Sequence, residues 1–175
     1  MSDINDHRLC DTTWRLMLED MTPESTRDDM SHRYTRDELV ARMIRAGELE
    51  VSGEHPDEVG SYFDTENFQF HGPDGFDSDY QGLTSYFESL RTAFEDRSIR
   101  RGLIAVEGDL VACQTWIEGR FVRPFTHSPV GPVEPTGERV VMDLMNIFRF
   151  DEQGRLVEEF VRTDNRSLLR QLGAA

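Results

Sequence analysis

The hydrophobic pattern changes period once along the chain. Trp14, Met17, Leu18 and Met21 recur at helical spacing before Thr22 and Pro23, and predict a short amphipathic helix on a polar leader. A charged run from Arg27 to Arg33 reads as a linker. Thr35 and Glu38 have the spacing of a capping box ahead of Leu39, Val40, Met43 and Ile44, which share one helical face. Pro56 can start a single helical turn reaching Tyr62 and Phe63, and Phe68 to Phe70 read as a short strand. After a loop rich in Gly and Asp, Leu83, Tyr86, Phe87, Leu90 and Phe94 mark one face of a second long helix.

From Ile99 the period becomes two. Ile99 to Val106 and Leu110 to Val122 predict two strands joined at Gly108 and Asp109, and Val140 to Phe150 and Leu156 to Thr163 two more joined at Asp151 to Gly154. Between them Pro124, Pro129, Pro132 and Pro135 exclude a sheet interior and predict a long hairpin loop or edge cover. Helices first and hairpin-connected strands last make an α+β domain whose antiparallel sheet curls around helices. Ligand pockets form in the space enclosed by such a sheet.

The strand Val140 to Phe150 is apolar on both alternating faces, which predicts cover on both sides. Val141, Met145 and Ile147 share a face with Asp143, while Val140, Met142, Leu144 and Phe148 share the other with Asn146. A carboxylate in such a strand loses solvation and must find a hydrogen bond, a cation or a proton. Asp143 is therefore the first candidate for chemistry.

At 175 residues the length suits one domain with a sizeable core. Nineteen basic against 34 acidic residues give a net charge of −15, which disfavours nucleic acid and anionic membranes as partners and otherwise serves solubility. The expected partner is a neutral or locally paired small molecule, or another protein. Cys10 and Cys113 are too few for a disulfide framework or a zinc site, and the five histidines show no ligand spacing, so no metal is expected. No basic patch precedes an apolar run at MSDINDHRLC, and no stretch approaches about 20 apolar residues. A soluble, cytoplasmic protein is expected.

Four stretches resemble one known family: FHGP at Phe70 to Pro73, PTG at Pro135 to Gly137, GRLVEEF at Gly154 to Phe160, and DNRSLLRQLG at Asp164 to Gly173. They look like the SnoaL-like polyketide cyclase and ester cyclase group of the nuclear transport factor 2-like superfamily. The resemblance covers residues 36 to 173 and divides the chain into an N-terminal extension, 1–35, and a cone domain, 36–175. It implies a cone-shaped curved sheet wrapped around helices with one deep apolar cavity. It also implies a homodimer, and aldol cyclisation of aromatic polyketide esters without metal or cofactor. Relatives of that cone isomerise ketosteroids, open epoxides, dehydrate alcohols or carry no activity. Its catalytic aspartate on the last strand corresponds to Val161, and its histidine on the preceding strand to Asp143.

Strand parity offers a replacement carboxyl. If Val161 points into the cavity, Glu159 and Thr163 do too. Asp143 and Glu159 would then be two carboxyls in one apolar space, one of them holding a proton near neutral pH and together forming an acid/base pair. The structural alternative pairs Glu159 with an arginine. His71, at a strand end, reads as a proton relay or as a cap on the following loop. His127 lies in the proline-rich loop, a candidate lid. Gln114 and Trp116 share a polar and aromatic face suited to a cavity or to a dimer surface. Tyr62, Tyr80 and Arg91 are candidates for a phenol donor and an oxyanion partner, or for packing and surface charge. Met145 shares the Asp143 face, and with Val161 completes the expected substrate-binding set. The expected function is cofactor-independent acid/base catalysis on an aromatic or cyclic small molecule: cyclase, lyase, dehydratase or isomerase. The alternative is a non-catalytic binding or oligomerisation module of the same fold.

Overall fold

A computed structural model describes residues 34–174, and the helix expected around Trp14 and the linker after Arg27 lie outside them. Helix α1 spans Arg36–Ser52 and begins on the predicted capping box. The Thr35 hydroxyl accepts from the Glu38 amide at 3.3 Å, and the Glu38 carboxylate accepts from the Thr35 amide at 2.7 Å. Such a cap stabilises a helix by about 1 kcal/mol. Gly53 ends it at φ 72°, a left-handed conformation that needs no Cβ. A 3₁₀ turn at Pro56–Ser61 leads to strand β1, Gln69–His71, which turns through Pro73–Gly75 into the two-residue strand β2, Asp77–Ser78. Helix α2, Tyr80–Ala93, is capped by Asp79, whose carboxylate accepts from the Gly82 amide.

Four long strands follow: β3 (Phe94–Glu107), β4 (Leu110–Phe121), β5 (Arg139–Phe150) and β6 (Leu156–Thr163). Helix α3, Asn165–Gln171, closes the described chain, and Asp164 caps it by accepting from the Ser167 amide. The sheet order is β2-β1-β6-β5-β4-β3. All neighbours are antiparallel except β1 and β6, which run parallel, so the sheet is mixed. The expected curved antiparallel sheet is present in the four long strands, and only this pair makes it mixed. The short β1 reaches β6 after helix α1, and its direction is set by that entry instead of by a hairpin.

Register decides what faces inward. Thr115 lies opposite Leu144, Cys113 opposite Asn146, Asn146 opposite Val161, and Phe148 opposite Glu159. Because side chains alternate, the even positions of β5 and the odd positions of β4 and β6 share the concave face. Along β5 this face is buried: Val140, Met142, Asn146, Phe148 and Phe150 are all sealed, whereas Met145 and Ile147 are 56% and 44% exposed. The expectation that both faces of this strand are covered is therefore corrected, since only the concave face is buried within the described chain.

Two apolar clusters line the interior. Leu39, Met43, Phe63, Phe68 and Phe148 form one, under α1. Leu90, Phe94, Phe121, Phe125, Met142 and Leu168 form the other, where Phe94 stacks on Phe121 at 5.0 Å between ring centroids. Phe125 meets Phe94 edge-on at 5.5 Å and ties down the proline-rich connection between β4 and β5. That connection holds itself by backbone bonds between Phe125 and Val133, as an ordered cover instead of a sheet strand. No described helix is long and apolar enough to cross a membrane.

Candidate functional site

Between the clusters the sheet and helices enclose a cavity of about 650 Å³. Members of both clusters border it: Phe63, Leu83, Phe148 and Leu156 from one, Ile117, Met142 and Leu168 from the other. The β4–β5 connection contributes Thr126, His127, Ser128 and Pro129 to its wall. The size suits a small organic molecule of two or three rings, and the apolar lining suits an aromatic or alicyclic one.

Polar groups are a minority of this lining, and the more deeply placed ones come from β5, β6, α1, β3 and α2. Glu159 of β6 is 9% exposed, and its Oε1 accepts a hydrogen bond from Asn146 Nδ2 of β5 at 2.7 Å. Burial in the apolar wall pushes its carboxyl up to about 7, against the opposing pull of Asn146 and of the Arg101 charge, while Glu50 adds to the rise. Asn146 is 3% exposed, and its own Oδ1 is buried without a partner among the described residues.

Glu50, on α1, is the second buried carboxyl of the lining, with the Tyr80 hydroxyl donating to its Oε1 at 2.7 Å. Burial raises this acid too, opposed by Tyr80 and the nearby charge of Arg91. Arg101 of β3 brings a guanidinium to the same wall, opposite Thr115. It donates from Nη1 to the Thr115 hydroxyl and to Cys113 Sγ, and desolvation pulls it below the usual arginine range. Tyr86 of α2 presents a phenol whose bond goes to the thioether of Met142 at 3.8 Å, and burial lifts it to about 12. Among the described residues no three His, Cys, Asp or Glu side chains are grouped so as to hold a metal ion.

Of the residues singled out in the sequence, Glu159, Val161 and His127 line the cavity. Asp143 does not. It is exposed on the convex face, opposite Trp116, and Gln114 Nε2 donates to it at 3.4 Å. The correction follows from parity: Asp143 is an odd position of a strand whose even positions face the cavity, so it cannot join Glu159. Met145, Gln114 and Trp116 share that convex face, and Trp116 carries the Arg100 guanidinium 3.8 Å from a ring centroid.

His71 also lies on the outer side of its strand, stacked on Phe160 at 4.6 Å. Its Nδ1 is 2.8 Å from Asp77 and its Nε2 3.2 Å from Glu158, and the Asp77 bond foremost raises its pKa. The inward neighbour in that strand is Phe70. Tyr62 packs against the α1 cluster with Arg42 4.9 Å over its ring, and Tyr80 packs edge-on against Phe68 with its hydroxyl on Glu50. Arg91 Nη1 donates to the Glu50 carbonyl at 2.5 Å, a tie between α1 and α2 behind the wall. None of these four is part of the cavity lining.

The sequence reading missed Glu50, Arg101 and Tyr86 as site residues. Glu50 sits in GELEVSGEH and Arg101 in SIRRGL, both of which look like solvated surface. Tyr86 reads in the sequence as one position of an apolar helix face, and in the fold that face borders the cavity. Asn146 was visible as the one polar residue on the Met142 and Phe148 face, a signal that pointed to the inner face of β5.

Residues 27–159 match the model of the SnoaL-like domain. Solved structures with the same fold include AclR from Streptomyces galilaeus, a proposed hydroxylase, at 21% identity and TM-score 0.66 over 81% of this chain and 99% of that one. TsrD from Streptomyces laurentii matches at 20% identity and TM-score 0.66, over 81% and 99%. IdmH from Streptomyces antibioticus, a proposed polyketide cyclase, matches at 26% identity and TM-score 0.61, over 77% and 98%. No curated protein matches the chain. With its cone of curved mixed sheet and helices, and a family match over most of its length, the chain belongs to the SnoaL-like domain family.

Proposed function

We propose that this chain is a cofactor-independent general acid/base enzyme acting on an apolar aromatic or cyclic small molecule, of the cyclase, lyase, dehydratase or isomerase type. The observation that carries this reading is Glu159, a protonatable carboxyl sealed in an apolar cavity and held by Asn146. A base with a pKa near 7 is ionised often enough to take a proton and acidic enough to return it. The carboxylate removes a proton from carbon beside a carbonyl, and the C–H electron pair moves onto the carbonyl oxygen. The Tyr86 phenol, weakly engaged by sulfur, is free to donate to that oxygen. The enolate carbon then attacks a second carbonyl in the same molecule, and Glu159 returns its proton to the new alkoxide. Isomerisation returns the proton to a different carbon instead. Likeness to a proposed polyketide cyclase is consistent with the aldol variant.

One observation favours a second reading, a binding module without chemistry: Val161, an apolar side chain, stands in the lining where the resemblance puts an aspartate. The two readings separate on enolisation of a generic probe. With 2-tetralone in deuterated buffer, the wild-type protein is expected to accelerate α-proton exchange, followed by NMR. Glu159→Gln should lower the catalysed rate by about 10²-fold or more, and Asp143→Asn should leave it within about twofold. Equal exchange with Glu159→Gln and wild type removes Glu159 as the base, and absence of acceleration in the wild type favours the binding module.

Glu159 also predicts a pH dependence of stability. Its carboxyl rises from 4.5 in the unfolded chain to about 7 in the fold, so the folded state holds the extra proton between those values. Stability is full below pH 4.5 and is lost as pH rises through about 7, a loss of about 3 kcal/mol at 1.36 kcal/mol per unit. Urea unfolding at pH 4.5 and pH 8 should show this loss in wild type relative to Glu159→Gln. Parallel profiles contradict the shifted carboxyl.

The exposed Met145 and Ile147 on the convex face support a homodimer through the sheet. Light scattering is expected to give twice the chain mass, and a monomeric mass at micromolar concentration contradicts this.

A further inference from the structure

Among the described residues Arg101 is a cation without a salt-bridged counter-ion. Its guanidinium borders the cavity, and desolvation pulls its pKa down. Nη1 donates to Thr115 and Cys113, neither of them an anion, and the Phe148 ring lies 5.4 Å from its central carbon. Nε and Nη2 donate to no described residue, and no described carboxylate oxygen lies within the 4.0 Å of a salt bridge. The acids that could have paired with it are engaged elsewhere. Glu50 accepts from Tyr80 and lies near Arg91, Glu159 accepts from Asn146, and Glu48 pairs with Arg45 at 3.4 Å.

Room has been left for the group on the facing helix. Gly47 of α1 also borders the cavity, and a Cβ at that position would collide with Arg101 Nη2. A guanidinium drawn from water without an anion is destabilising. Packing alone would favour an apolar side chain here, as at Ile99 and Ile104 in the same strand. A second, independent group is also unsatisfied: the buried Oδ1 of Asn146, an acceptor without a donor among the described residues.

We propose that Arg101 is an anion anchor, and that the cavity takes an aromatic or cyclic ligand bearing a carboxylate, which Arg101 binds through Nε and Nη2. The Oδ1 of Asn146 accepts from a hydroxyl or N–H of the same ligand. The planar fork of the guanidinium matches a carboxylate in bidentate geometry, and in an apolar wall that pairing is stronger than in water. This deepens the acid/base reading by naming the substrate class, an aromatic or alicyclic keto or hydroxy acid, and it rests on that reading only for the chemistry, not for the binding. It also explains how a chain of net charge −15 accepts an anion: the recognising charge is inside, away from the acidic surface.

Calorimetric binding tests the anchor without any turnover. The probes are 2-naphthoate and 2-naphthamide, equal in shape and different in charge. Wild type is expected to bind the carboxylate at least tenfold more tightly than the amide. Arg101→Met should bind the two equally and unfold at the same or a higher denaturant concentration, because a half-buried charge without an anionic partner among the described residues has been removed. Arg101→Lys, which keeps the charge without the fork, should retain a reduced preference. Glu159→Gln should keep the full preference for the carboxylate, which separates anchoring from proton transfer. Equal affinities in wild type, an unchanged preference in Arg101→Met, or binding of neither probe at millimolar concentration each overturns the anchor. None of these results touches the enolisation test, which judges the acid/base reading by itself.

Discussion

The site depends on one hydrogen bond across two strands, from Asn146 of β5 to Glu159 of β6. It exists because the register sets Asn146 opposite Val161 and Phe148 opposite Glu159, so both polar side chains emerge on the concave face as diagonal neighbours. A slip of one residue in β5 would send Asn146 to the outside and bring Asp143 in. Several aromatic contacts protect the arrangement. Phe148 packs on the α1 cluster, and Phe94, Phe121 and Phe125 hold the opposite end of the sheet and the loop that covers it. Burial contributes most of the shift of Glu159, so the packing of apolar neighbours and the chemistry of the carboxyl are one phenomenon.

The cavity is polar in only a few places, and its charges are arranged unevenly. Its two buried carboxyls, Glu50 and Glu159, have protein hydrogen-bond donors, while the guanidinium of Arg101 has only neutral acceptors among the described residues. A folded chain selected for stability alone would have joined Arg101 to one of those acids or replaced it. A base and a cation from the sheet and a phenol from α2 thus border one largely apolar space, able to act on different atoms of a bound molecule.

Much of the fold was legible because local signals agreed with one another. The capping box at Thr35 and Glu38, the turn at Asp151 to Gly154 and the strands around it follow from residue types at fixed offsets. The inward direction of Glu159 was legible too, through its shared parity with Val161. What periodicity could not supply was which face of β5 is inside. Alternation says that Asp143 travels with Met145 and Ile147, but these are apolar, so the pattern gave no polar outer face to orient the strand. Arg101 and Glu50 were hidden for the opposite reason. Each stands among charged neighbours, and only the tertiary fold turns half-buried Arg101 and buried Glu50 inward, away from their exposed companions, Arg100 and Glu48.

The proposed chemistry requires Glu159 to exchange its proton near neutral pH inside the fold. Carbon-13 NMR of selectively labelled glutamate side chains, with Glu159→Gln to assign the resonance, reads that titration directly. A midpoint near 7 is expected for Glu159. A midpoint near the ordinary 4.5 would contradict it.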